Sequence, residues 1–137
     1  MTDVHAAIGL AQLQKLERFN QARIANAGYL TERLQGVVTP SVPDGYRHVF
    51  HQYTIRVSGG RRDALREALA DRGIGSAIYY PVPVHKQQVY VERGYGHGHP
   101  ESERAAEEVL SLPVHPAVER DDLDAIVTAV NEFMEAS

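Results

Sequence analysis

Two prolines within three residues, Pro81 and Pro83, restrict this chain more than any other feature of its sequence. Each locks φ, removes a backbone donor and disfavours helical backbone at the residue before it. They lie within residues 73–90, GIGSAIYYPVPVHKQQVY. Here a helix ends at Gly73, a strand-like run follows over residues 76–79, and Tyr79 and Tyr80 enter a stiff, non-helical connection that carries His85. A rigid connection holding phenol and imidazole groups can wall a binding site with little entropy lost on binding. It can equally be a structural loop whose aromatics pack locally.

The flanking sequence predicts an α+β domain. Thr2 is placed to cap a helix with Asp3 in its first turn, at the positive end of the helix dipole. Leu13, Leu16, Ile24, Ala27, Leu30 and Leu34 recur at helical spacing, and Gly36 supplies a stop. Near its start Ala6, Ala7, Gly9 and Ala11 flatten the helix surface, so another backbone can approach closely. Residues 49–57 alternate, placing His51 on one face with Val49, Tyr53, Ile55 and Val57. A histidine there is either a core residue satisfied by one hydrogen bond or a site residue. Leu65, Ala68 and Leu69 mark a second helix, and residues 84–92 a helical turn with His85 and Tyr90. Pro100 opens a helix with Ser102, Ala105 and Ala106 on one face. A short strand over residues 110–113 follows, and Leu123, Ile126, Val127, Val130 and Met134 define the last helix. Asp121 and Asp122 in its first turn suit the helix dipole and make a poor acid–base pair, being adjacent on a solvated end.

At 137 residues the chain suits one domain that buries about two-thirds of its unfolded surface. The net charge of −4 argues against binding nucleic acid through its phosphates, and no apolar run reaches the length of a membrane span. No signal-peptide pattern stands at the N-terminus, and cytoplasm is the expected compartment. The absence of cysteine removes disulfides, thiolate metal sites and Cys nucleophiles.

Several stretches, taken in order, resemble the DegT/DnrJ/EryC1/StrS family of pyridoxal-phosphate-dependent sugar aminotransferases. They are MTDVHAAIGLAQL (residues 1–13), HVFHQYTIR (48–56), GIGSAIYYPVPVH (73–85), Gly94-Tyr95 and SERAAEEVLSLPVHP (102–116). The resemblance is to the C-terminal part of such enzymes. It implies a long bridging helix over residues 1–36 and a small α+β domain over residues 37–137, together one domain of a larger enzyme. The fold implied is a small antiparallel-rich sheet covered by helices, like the C-terminal domain of fold-type I aminotransferases. In the intact enzyme Tyr79, Tyr80 and Pro81 would border the substrate cleft, with His85 behind them and His51 as a further contact. Many members carry His where Tyr79 stands. A phenol hydrogen-bonds but is no near-neutral base, so Tyr79 is assigned to sugar contact and no residue is assigned to catalysis.

Transamination of this kind needs a lysine to hold the cofactor as an imine. The chain has only Lys15, on the polar side of the first helix, and Lys86, in a loop where the family pattern places no such lysine. The expectation is an excised fragment or stand-alone small domain, inactive alone, with no cofactor bound. Its partners would be the missing large domain or a second subunit, in a homo-oligomer acting on a nucleotide sugar with an amino acid donor. Two other readings remain open. The chain can be a non-catalytic dimerisation module. Alternatively, His85, His97, His99 and His115 can be read as a metal site, although the glycine-rich loop around His97 and His99 looks like drift from the family pattern.

Overall fold

The computed structural model describes residues 1–136 and has the α+β architecture. Helix α1 runs from Asp3–Arg33; Thr2 caps it, its Oγ1 accepting from the His5 backbone N–H at 3.4 Å. Only its last turns reach the core. Ala27, Leu30 and Leu34 are buried, whereas Leu13 and Leu16 on the same stripe are 64% and 47% exposed. The repeat of apolar residues is therefore genuine, but its first half has nothing from this chain to cover it. Helix α1 stops at Leu34, two residues before Gly36, whose φ of +71° turns the chain back. Asn131 closes that end: its Nδ2 donates to the Arg33 carbonyl and its Oδ1 accepts from the Gln35 N–H, both at 2.9 Å. A helix terminus left with orphan carbonyls is thus satisfied by a side chain of the last helix.

Strands β1 (Tyr53–Arg56) and β2 (Val109–Leu112) pair antiparallel, with Tyr53 opposite Leu112 and Arg56 opposite Val109. One residue extends the pairing on each side. Val38 exchanges hydrogen bonds of 3.0 and 2.9 Å with Arg56, and Ala77 exchanges 3.0 and 2.8 Å bonds with Ser111. Two sequence expectations are corrected here. The strand predicted over residues 76–79 contracts to the Ala77 bridge, because Tyr80 takes φ +58° and Pro81 has no N–H to donate, so pairing cannot continue. The alternating run over residues 49–57 becomes a strand only from Tyr53. Phe50 takes φ +46°, held by its N–H donating to His48 Nδ1 at 2.9 Å, and this bend turns the Phe50 ring inward. His51 is consequently exposed, not set among apolar neighbours.

Helices α2 (Arg62–Asp71), α3 (Gln88–Val91), α4 (Pro100–Glu108) and α5 (Arg120–Glu135) complete the chain, with a single 3₁₀ turn at Val84–Lys86 before α3. α5 packs on both α1 and α2. Leu65 and Leu69 of α2 join Ile55, Val57, Leu110, Leu123, Ile126 and Val130 in one core. Burying each such side chain contributes about 1.5–3 kcal/mol. Tyr53 is buried with them, and its hydroxyl is matched by Thr31 Oγ1 at 2.9 Å. Arg62 ties α4 into the sheet edge, donating to the Ala106 and Val109 carbonyls at 3.0 and 3.3 Å. Pro100 occupies the first turn of α4, where its missing N–H is harmless, and a reciprocal Glu119–Asp122 capping box starts α5. No helix among the described residues is long and apolar enough to cross a membrane.

Candidate functional site

The proline-stiffened segment forms one wall of a groove of about 860 Å³, with α3 and the loop after it opposite and α4 as its floor. The groove exists because α4 presents Ser102, Ala105 and Ala106 to it, side chains too small to fill the space. Tyr79, Tyr80 and His85, three of the residues singled out from sequence, line it. Pro81 does not line it but shapes the wall. Tyr80 precedes Pro81 with φ in the left-handed region, a conformation of order 1–3 kcal/mol above relaxed backbone for a non-glycine residue. Its phenol stands 84% exposed.

His85 sits behind this wall and is nearly buried. Its Nε2 lies 3.1 Å from Glu103 Oε1, while Lys86 Nζ donates to Glu103 Oε2 at 2.5 Å. The Lys86 hydrogen bond, then that of His85, holds the Glu103 carboxyl below the ordinary carboxylate range, outweighing partial desolvation. Glu103 is therefore ionised at neutral pH and accepts from both neighbours. A carboxylate only accepts, so His85 Nε2 is the donor in this pair. The His99 ring packs on His85 at 4.7 Å between centroids. His85 is thus a positioned, hydrogen-bonded residue.

His51 lies in a different place. It borders a smaller hollow of about 350 Å³ together with Ser76, Tyr79, Ser111 and His115. Tyr79 borders both hollows, so the structure joins His51 to the tyrosine wall only through that residue. Among the described residues no three His, Cys, Asp or Glu side chains cluster closely enough to hold a metal ion. Of the histidines considered for one, His85 and His99 come together as a pair and His115 lines the smaller hollow.

Arg93, Tyr90 and Tyr95 also line the large groove, and Glu103 anchors its histidine. Neither Arg93 nor Glu103 is singled out by the sequence; Arg93 lines the groove just after α3, and Glu103 of α4 reaches it through its hydrogen bond to His85. Tyr95 lies in the Gly94-Tyr95 pair, the one local signal available.

Neither lysine is set to hold an aldehyde cofactor. Lys86 is committed to Glu103, and Lys15 is exposed on α1. The residues present therefore do not fit pyridoxal phosphate as an imine, and no chemical step is derived through it.

A family model described as the DegT/DnrJ/EryC1/StrS aminotransferase family matches residues 1–131. The chain is 39% identical over 139 residues to a pleiotropic regulatory protein of Geobacillus stearothermophilus, covering 97% of this chain and 37% of that protein. It is also 39% identical over 136 residues to a UDP-N-acetyl-3-dehydro-alpha-D-glucosamine 3-aminotransferase of Acidithiobacillus ferrooxidans, covering 98% and 36%. Among solved structures, DesV of S. venezuelae in complex with a ketimine intermediate superposes with a TM-score of 0.86 at 34% identity, over 95% of this chain and 36% of that one. The chain spans little more than a third of the length of the relatives it matches.

Proposed function

The chain belongs to the DegT/DnrJ/EryC1/StrS aminotransferase family, and on that premise we propose that it forms the cleft-bordering C-terminal portion of a pyridoxal-phosphate-dependent nucleotide-sugar aminotransferase, binding and orienting substrate without catalysing alone. The observation that carries this reading is the groove walled by Tyr79, Tyr80 and His85, built on a strained and proline-locked backbone. Strain of this kind gathers at binding sites, where the surrounding structure over-determines it. Tyr79, at the junction of the two hollows, is the contact to the sugar, with His51 across the smaller one.

The first turns of α1 support the second half of the proposal. Val4, Ile8, Leu10, Leu13 and Leu16 are each 47–69% exposed and point around the whole helix. Exposed apolar side chains gathered in this way mark a surface that other protein covers. We assign that cover to the large domain that supplies the cofactor lysine, or to a second subunit of a homodimer. A cytoplasmic location and a place in polysaccharide biosynthesis belong to the same reading. The exposed turns alone would also suit a non-catalytic dimerisation module.

A chimera separates the two. With residues 1–137 replacing the matching third of the Acidithiobacillus ferrooxidans relative, the account expects transamination of a UDP-linked keto-sugar; a silent but folded and dimeric chimera would favour the module. In the active chimera Tyr79→Phe should raise KM for the sugar nucleotide about 3- to 10-fold, the effect of one hydrogen bond of about 0.5–1.5 kcal/mol, at nearly constant kcat. An unchanged KM would count against the assignment of Tyr79.

A further inference from the structure

We infer that Asn26 of α1 is a positioning residue for the loop of residues 113–119, between β2 and α5, and so sets the opening of the smaller hollow beside His51 and Tyr79. The inference rests on the proposed function only for the substrate that this hollow meets. It starts from what the loop lacks. Pro113 and Pro116 have no N–H to donate, so the pairing of β2 ends at Leu112. Pro113 and His115 border both the hollow of about 350 Å³ and a neighbouring one of about 340 Å³. Val114 enters the core and Val118 packs against it, but His115 between them is exposed. Backbone flanked by two hollows has too few packed neighbours there to fix it, so its hydrogen bonds decide where it lies.

Asn26 supplies them from α1. Its Nδ2 donates to the Val114 carbonyl at 3.5 Å and to the His115 carbonyl at 3.2 Å. Among the described residues these are the hydrogen bonds that reach the two carbonyls from outside the loop. A side-chain amide has two N–H donors, which suits it to two successive carbonyls. The His115 carbonyl also accepts from the Val118 N–H at 3.0 Å, so the turn that leads into α5 closes on the atom Asn26 holds. Tyr29, three residues on and on the same face of α1, secures the far end. Its hydroxyl bonds to Asp124 in α5, and its ring carries the guanidinium groups of Arg33 and Arg120 at 3.8 and 3.6 Å from its centroid.

One face of α1 thus grips both ends of a loop whose middle lines the hollow. The remaining lining, His51, Gln52, Ser76 and Tyr79, comes from the approach to β1 and the segment after α2. The hollow is therefore bounded by one wall that belongs to the sheet and one that is tied to α1. Asn26 lines neither hollow and acts only through the carbonyls it holds. Without its two bonds the Val114 and His115 carbonyls lose their donor, and the loop is left to relax towards the open space beside it.

The test is amide hydrogen exchange by NMR on the 137-residue chain carrying Asn26→Leu, a change that keeps the side chain's size, favours the helix and removes the donor. Exchange at the Val118 amide, relative to the Leu30 amide in α1, should rise about 3- to 10-fold, the effect of one lost hydrogen bond. Asn131→Leu, which breaks the other side-chain bridge between α1 and α5, should leave that ratio unaltered. In the active chimera Asn26→Leu should raise KM for the sugar nucleotide about threefold at nearly constant kcat. An unchanged ratio in Asn26→Leu, the same rise in Asn131→Leu, or a raised ratio with unchanged KM would each overturn the inference. The exchange measurement does not depend on the chimera. A silent chimera removes the aminotransferase reading and leaves the ratio to decide whether Asn26 positions the loop.

Discussion

Leu30→Ala should lower the stability of this chain by about 2–5 kcal/mol, read as a fall in the denaturation midpoint at unchanged slope. Leu30 is fully buried, and with Ala27 and Leu34 it makes up the part of α1 that reaches the core. Truncation removes transfer free energy and leaves a cavity in the core beside α1 that a packed interior closes only in part. The loss is a large share of the roughly 5–15 kcal/mol a domain of this kind possesses. Leu13→Ala supplies the contrast. It lies on the same stripe of the same helix but is 64% exposed, so in the 137-residue chain its effect should stay within about 0.5 kcal/mol. Equal effects at the two positions would mean that α1 is covered along its length by something within this chain, and the proposed docking surface would be lost.

Gly36→Ala should also be strongly damaging, at about 2–4 kcal/mol. Two independent penalties combine. Gly36 takes φ +71°, where an L side chain meets its own carbonyl at roughly 1–2 kcal/mol. A methyl group there would also stand 2.8 Å from Met134 Cβ on α5, an atom next to the backbone that cannot swing aside. Overpacking of that sort costs about 1–3 kcal/mol. Gly59→Ala isolates the first penalty, because Gly59 has φ +74° with open space around it. Thermal or urea unfolding should therefore rank Gly36→Ala well below Gly59→Ala. If the two coincide, the turn after α1 does not press on α5 as described.

The helices were legible in the sequence because their signals are local. Thr2, Pro100 and the spacing of Leu65 with Leu69 each act within one or two turns, and each stands where the spacing places it. Strand limits were less legible, since alternation reports a two-residue period and nothing about bends. Phe50 is compatible with an extended run, yet its positive φ, held by His48, ends the alternation and delivers His51 to solvent. Tyr80 does the same at the end of the Ala77 bridge. The stripe through Leu13 and Leu16 shows a different limit: periodicity gives the direction a side chain takes but not whether a neighbour waits there. For the site, Tyr79, Tyr80 and His85 were marked by the prolines around them and by the family pattern, whereas Arg93 becomes part of it only through tertiary folding.

The central claim is that these residues border a substrate cleft and contain no amine that anchors the cofactor. It is tested most directly by incubating the 137-residue chain with stoichiometric pyridoxal phosphate, reducing with borohydride and mapping phosphopyridoxyl-lysine by mass spectrometry. The account predicts no stoichiometric adduct at Lys15 or Lys86 and no internal-aldimine absorbance band. A single saturating adduct at either lysine, with amination of a keto-sugar by the chain alone, would contradict it.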